Sequence, residues 1–273
     1  MQYTDNQIKE LENKARQIRR LIVQMLAKAG SGHPGGSLSA ADLITALFFA
    51  VLRHNPQAPN WPERDRFHLS KGHCCPLWYA VLAEAGYFPL EKLWTLRQLG
   101  SILQGHPDRR TPGVEVASGS LGQGLSVGLG MSLAAKMDKK DYRVYVLMGD
   151  GEIQEGNIWE AAMAASHYKR DNLCAMLDYN GFQIDGKTKD IMNLEPLTAK
   201  WQAFGWHTIE IDGHKMQEIL SAYDEAKGIK DKPSIIIAHT IKGKGVSFME
   251  NVVDFHGRAP TKEEAERALK ELQ

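Results

Sequence analysis

Two short segments with oxygen-bearing side chains lie one helix apart: Gly149-Asp150-Gly151 is followed by 28 residues and then by Asn180-Gly181. The apolar runs "RVYVLM" and "LCAMLD" stop just before them, so Asp150 and Asn180 each fall just past a strand end. In parallel sheets ligands collect beyond the carboxyl ends of strands, where helix N-termini also offer N–H groups to anions. Loops on adjacent strands would place a carboxylate and an amide oxygen beside one bound phosphate group. Oxygen ligands completed by phosphate and water suit Mg2+ or Ca2+ rather than zinc, and such a cation would bridge Asp150 to an anion that otherwise repels it. Histidines form the second set of candidates. Gly32-His33, Gly72-His73 and Gly105-His106 occupy three separate loops, and imidazoles near neutrality pass protons in both directions. Gly213-His214, by contrast, reads as a turn with a solvated histidine, and His167, His207 and His239 read as structural or surface residues. His54 and His68 lie near a motif but match no role.

Two other patterns are weaker. Gly122, Gly124 and Gly128 have the wrong last interval for a G-x-G-x-x-G dinucleotide loop and follow no clear strand, so close helix packing accounts for them better. Cys74 and Cys75 adjoin His73, but neighbouring cysteines do not readily point at one ion and no second pair exists; they read as small buried residues.

The elements that must position these residues follow from periodicity. Ile8, Leu11, Ala15, Ile18, Ile22, Met25 and Ala29 recur at helical spacing and end at Gly30. "GSGHPGGS" has too many glycines and a proline for an element interior and reads as a loop before the helical "SAADLITALFFAVL". "HNPQAPNWPERDRFHLSKGHCC" reads as irregular, "PLWYAVLAEAG" as a helix, and "GSLGQGLSVGLGMSLAAKM" as a small-residue helix. From Arg143 onward apolar runs alternate with helical segments: "RVYVLM", "NIWEAAMAASHYK", "LCAMLD", "WHTIEID", "KMQEILSAYDEAKG" and "SIIIAHT". That alternation predicts an α/β fold with a mostly parallel sheet and helices on both faces. "TKEEAERALKELQ" carries a capping-box pattern at Thr261 and Glu264. No repeat or low-complexity linker divides the chain, so residues 1–273 are expected to form a single domain.

Composition narrows the partners. The 33 basic residues balance 33 acidic ones, which gives no reason to expect nucleic acid or an anionic membrane as a partner. Three cysteines without a C-x-x-C pair read as reduced thiols. "AADLITALFFAVL" is too short and too interrupted by Asp42 and Thr45 to span a bilayer, and the first residues have no apolar signal core, so a cytoplasmic protein is expected.

The spacing from Gly149-Asp150-Gly151 to Asn180 resembles the thiamine-diphosphate motif. "SGHPGGS", "LSKGH", "GHPDRRTPGVEVASGSLGQGLSVGLG" and "HTIKGKGVSFMENVVDFHG" resemble transketolase, in transketolase order, over the chain from about Ile18 to His256. The resemblance implies the diphosphate-binding domain of the thiamine-diphosphate fold. It implies that Asp150 and Asn180, with the backbone carbonyl of Phe182, ligate Mg2+, for which Ca2+ or Mn2+ can substitute. Gly149 and Gly151 let the backbone approach the diphosphate; His33 and His73 border the diphosphate and thiazolium; His256 faces the reacting carbon; and His106 contacts the donor's first hydroxyl. Ser120, Leu121 and Gly122 lie against the aminopyrimidine, Glu155 is also expected among the cofactor-binding residues, and Glu155 and Glu160 fall where the family has acidic residues at the contact between subunits.

The activity implied is transfer of a two-carbon ketol unit between sugar phosphates, the cofactor holding the electron pair released by C–C cleavage. Two other enzyme readings compete: the α chain of a 2-oxo acid decarboxylase, which carries the same metal motif, and a fragment of a deoxyxylulose-phosphate synthase. The Gly-His loops argue against the decarboxylase, which need not contact sugar hydroxyls. A non-catalytic scaffold keeping the fold is a further alternative, disfavoured by the intact Asp150, Asn180, His33, His73, His106 and His256. Too few residues follow "DFHG" for the family's pyrimidine-binding and C-terminal domains. These are expected on a separate C-terminal subunit, in an α2β2 assembly.

Overall fold

The computed structural model describes residues 3–273. The chain opens with α1 (Asp5–Ala29), whose Thr4 side chain accepts from Gln7 N and whose end is the left-handed Gly30. Two short helices follow, α2 (Pro34–Ser39) and α3 (Ala41–Ala46), the latter running into a π-helical turn at Leu47–Val51. After β1 (Arg66–Leu69) come α4 (Cys75–Glu84), α5 (Gly124–Met137) and β2 (Val144–Gly149). Then α6 (Gly156–His167) crosses to β3 (Leu173–Tyr179). A small hairpin, β4 (Phe182–Gln183) and β5 (Gly186–Lys187), leads through α7 (Thr188–Ile191) and α8 (Leu197–Ala203) to β6 (His207–Asp212). The described chain closes with α9 (Met216–Gly228), β7 (Ser234–His239) and α10 (Lys262–Glu271).

Five strands pair in the order β1-β2-β3-β7-β6, every pair parallel. Alternate residues serve opposite faces, as the two-residue period of a strand requires. Tyr145, Leu147, Cys174, Met176, Ile236 and Ala238 join one core with residues of α1, α3, α4 and α9. Val144, Val146, Leu173, Ala175, Ile235 and Ile237 join a second core with α5, α6 and α8. Burial on both faces explains why β2, β3 and β7 read as continuous apolar runs. Gly128 confirms the packing account of the glycines in α5, since a Cβ there would lie 2.4 Å from Val146 Cγ2.

Two expectations fail. "GSGHPGGS" is not all loop: Pro34 starts a helix, a position where its missing N–H costs nothing. The "irregular" stretch before His73 contains β1, whose four residues include Arg66 and His68 and so present no apolar run. β1 is specified by its register against β2, from Arg66 opposite Val144 to Leu69 opposite Leu147.

Because all five strands are parallel, their carboxyl ends share one edge. That edge gathers the loops after β1, β2, β3 and β7, which hold His73, Asp150, Asn180 and Lys242.

Candidate functional site

β2 and β3 end in register, Gly149 opposite Asp178, so Asp150 and Asn180 emerge side by side. The 28-residue spacer holds the crossover through α6 and then β3 itself. Asp150 is 2% exposed, and its carboxylate accepts from Gly151 N at 2.8 Å and from Gly181 N at 2.6 Å. Burial, and then the charge of Asp178, push its pKa up to about 7. Asn180 Oδ1 accepts from Phe182 N at 3.1 Å, while its Nδ2 donates to Asp178 at 3.1 Å, which fixes the amide orientation. Gly151 packs against the hairpin: a Cβ there would lie 2.9 Å from Gln183 Cβ.

Beneath these loops lies a buried ion pair. Lys71 donates to Asp178 and, at 3.1 Å, to Gly36 O. Asp178 also accepts from Thr240 and, at 2.6 Å, from Ser39. Burial alone would neutralise both partners, but each holds the other charged, Lys71 above its usual pKa and Asp178 below it. Lys71→Met strands a carboxylate that is 0% exposed, and the expected loss is about 3–5 kcal/mol in denaturant unfolding. Adding Asp178→Asn should recover part of it; equal stability of Lys71→Met and wild type would contradict the arrangement.

A cavity of about 410 Å3 opens over this floor. His33, His73, His106, Leu121, Gly149, Asp150, Gly151, Glu155, Asn180, Phe182 and His256, all expected at the site, line it. Three of the imidazoles form a triangle, with centroids 5.1 Å apart for His33–His73, 5.3 Å for His73–His256 and 5.7 Å for His33–His256. Burial first, then neighbouring positive charge, lowers His73 to about 4 and His256 to about 3. His33 is likewise held at about 4 by burial and by His73, and His106 is lowered by the same two causes. All four are therefore neutral at pH 7. Gly122 lies under the surface, its N–H donating to Glu152 at 3.0 Å, while Ser120 and Glu160 are exposed and do not line the cavity.

Several cavity groups carry no signal in residue type and spacing alone. Glu152, 3% exposed, accepts from Gly149 N and Gly122 N, both at 3.0 Å, and from Ser70, tying three loops together. Lys242, 2% exposed, puts Nζ 2.8 Å from His256 Nδ1, with a pKa lowered by burial to about 8. An ammonium only donates, so His256 Nδ1 accepts and its proton sits on Nε2. Both lysines stand in quoted motifs, "LSKGH" and "HTIKGKG". His214 corrects the solvated-turn reading: its ring bonds to Asp42 and to the backbone of Ile241.

The residues fit a divalent cation with a phosphorylated ligand. Asp150 and Asn180 bring side-chain oxygens to neighbouring strand ends, donors of the kind a hard cation takes, and the buried carboxylate gains from positive charge. His33 Nδ1 is buried without a hydrogen-bond partner among the described residues, in a side chain that lines the cavity.

The chain is 47% identical over 266 residues to one of the subunits of the apulose-4-phosphate transketolase of Phocaeicola vulgatus, covering 97% of this chain and 95% of that protein. It is 49% identical over 265 residues to the 6-deoxy-6-sulfo-D-fructose transketolase subunit SqwG of Clostridium sp. (strain MSTE9), covering 97% and 96%. The crystal structure of transketolase from Campylobacter jejuni matches with a TM-score of 0.92 at 36% identity, over 100% of this chain but 43% of that one. The human transketolase sequence is 42% identical, and the chain spans 42% of it. A family model described as "Transketolase, thiamine diphosphate binding domain" matches residues 11–272, and the chain belongs to that family.

Proposed function

We propose that this chain is the cofactor-binding subunit of a split transketolase, moving a two-carbon ketol unit from a ketose phosphate to an aldose phosphate together with a separate partner chain. The observation that carries the reading is the convergence of His33, His73, His106 and His256 with the Asp150 and Asn180 loops on one cavity. Relatives matched over nearly their whole length, and named as single subunits of a transketolase, support the division between two chains. In this reading the chain supplies the diphosphate-binding domain, and the pyrimidine-binding and C-terminal domains belong to the partner. The buried free thiols of Cys74, Cys75 and Cys174 accord with a cytoplasmic setting. No helix among the described residues is long and apolar enough to cross a membrane.

Asp150, Asn180 and the Phe182 carbonyl would hold Mg2+, with Ca2+ or Mn2+ as substitutes, beside the diphosphate of thiamine diphosphate. Gly149 and Gly151 would let the backbone approach it, and Ser120, Leu121 and Gly122 would flank the aminopyrimidine. Glu155 and Glu160 would meet the partner. Bound thiamine diphosphate supplies an electron sink for carbon–carbon cleavage. His33, His73 and His106 are neutral and can each donate and accept, so they orient sugar hydroxyls and return protons without a change of resting charge. Lys242 fixes the His256 tautomer, leaving Nε2–H as the donor. Glu152 and the Lys71–Asp178 pair hold the loops rigid, which keeps the reacting groups in register.

His106→Ala and His256→Ala should lower kcat by about 10²- to 10⁴-fold while changing cofactor affinity little, because both act on the substrate side. Calorimetric titration with thiamine diphosphate and steady-state kinetics separate the two effects. Lost cofactor binding with normal turnover at saturation would reverse the assignment. In the chain without ligands, His33 and His73 should take up a proton only near pH 4, and 15N imidazole shifts followed against pH check this; titration at the usual histidine value would contradict the buried arrangement. In the same ligand-free chain Lys242 should lose its proton near pH 8, read as a change in the His256 15N shifts, since its Nζ lies against His256 Nδ1.

A further inference from the structure

His214 sits in the middle of a chain of hydrogen bonds that runs from Arg19 and Asp42 to the backbone of Ile241, next to the cavity residue Lys242. Arg19 of α1 grips Asp42 of α3 through both carboxylate oxygens, Nη1 to Oδ1 at 3.0 Å and Nη2 to Oδ2 at 2.6 Å. Arg19 and Asp42 are each 7% exposed. Against the effect of burial, Arg19 and then His214 hold Asp42 at about 2, so it is a carboxylate at all working pH values. His214 Nδ1 lies 2.8 Å from Asp42 Oδ2, and its Nε2 lies 2.8 Å from the backbone nitrogen of Ile241. A backbone N–H only donates, so Nε2 accepts and the ring proton sits on Nδ1, where it donates to Asp42. One tautomer of the neutral ring satisfies both neighbours; the imidazolium, a donor at both nitrogens, would lose the Ile241 bond.

Ile241 precedes Lys242 in the segment leaving β7. On the other side of Lys242, Gly243 N donates to Gly35 O at 3.0 Å, and Lys242 O accepts from Asn251 N at 2.9 Å. The lysine backbone is thus clamped before and after, and its side chain runs to His256 Nδ1. We propose that His214 is a positioning residue for ketol transfer: by holding Ile241 it fixes where Lys242 meets His256 in the cavity. This rests on the transketolase reading of that cavity. Without His214 the Ile241 N–H loses its acceptor and the segment is free to shift. A displacement of about 1 Å at a reacting group can cost about 100-fold in rate.

The test pairs His214→Ala with His214→Gln, whose Oε1 can reach the place of Nε2 and accept from Ile241. In the enzyme reconstituted with its partner, thiamine diphosphate and Mg2+, H214A should lose about 10- to 100-fold in kcat, and H214Q should recover most of that loss. In the chain without ligands, the imidazole 15N shifts of His256 and the amide shift of Ile241 should move in H214A and return toward wild type in H214Q. Unmoved His256 shifts in H214A overturn the proposal, as does an equal kcat loss in both variants. If H214A melts below the assay temperature, His214→Asn, whose amide can still donate to Asp42 but is too short to accept from Ile241 N, is scored by the same shifts. The shifts are read without ligand or turnover. A wild-type chain that neither binds thiamine diphosphate nor transfers ketol units would therefore refute the functional reading alone, and the coupling would still be decided.

Discussion

Asp150→Ala abolishes metal-dependent binding of thiamine diphosphate. The carboxylate stands between the loops after β2 and β3, accepting from Gly151 N and Gly181 N, and is buried beside the charged Asp178. With a pKa of about 7 the carboxylate is only partly ionised at neutral pH, and a bound cation would complete its ionisation while neutralising the diphosphate. Alanine removes the ligand and leaves two backbone donors aimed at nothing. Titration of the variant with thiamine diphosphate, with and without Mg2+, should show no metal-dependent binding; wild-type affinity and Mg2+ dependence would refute the assignment.

The same residue sets a pH dependence. Its folded pKa of about 7 lies above the ordinary 3.8, so protonation favours the fold, and stability is lost as pH rises from about 4 to about 7. The full difference is on the order of 4 kcal/mol. Without divalent cations, Asp150→Asn should therefore be at least as stable as wild type at pH 8, and its advantage should vanish toward pH 4. With Mg2+ present the proton competes with the metal, so apparent metal affinity in wild type weakens as pH falls below about 7. Parallel thermal melts of the two proteins, with and without Mg2+, read both effects.

What the sequence makes legible depends on how local the information is. β2, β3 and β7 declare themselves because both faces are buried, and α10 because Thr261 and Glu264 cap each other three residues apart, at 3.2 and 2.8 Å. Asp150 and Asn180 are legible because each follows a strand end directly. β1 is not, since Arg66 and His68 interrupt it and its pairing partner lies in β2. Glu152 and His214 are hidden for the same reason on a larger scale. The partners of Glu152 include Gly122 and Ser70, 30 and 82 residues away, and Asp42 is 172 residues from His214. No periodicity or spacing rule connects such positions; only the shared carboxyl edge of the sheet does.

Assayed alone, the chain should transfer no ketol units, and mixing it with the partner chain should restore activity. The cavity's own carboxylates are already engaged or assigned. Asp150 is assigned to the metal, Glu152 is held by Ser70, Gly122 and Gly149, and Glu155 is assigned to the contact with the partner. None remains to bond the aminopyrimidine, so in the split-enzyme reading that group comes from the partner chain. Two of the residues lining the cavity are exposed apolar side chains, Leu121 at 42% and Ile184 at 62%. In the split-enzyme reading, both would be covered when the partner closes over the cavity. Two copies of each chain would let both cavities be completed across a two-fold axis, giving α2β2. The assay holds thiamine diphosphate, Mg2+, a ketose phosphate and an aldose phosphate constant and varies only the partner chain, with sedimentation to report assembly. Activity that appears on mixing and tracks a heterotetramer supports the split enzyme. Full activity from the isolated chain would show that every group needed for catalysis is already among its own residues.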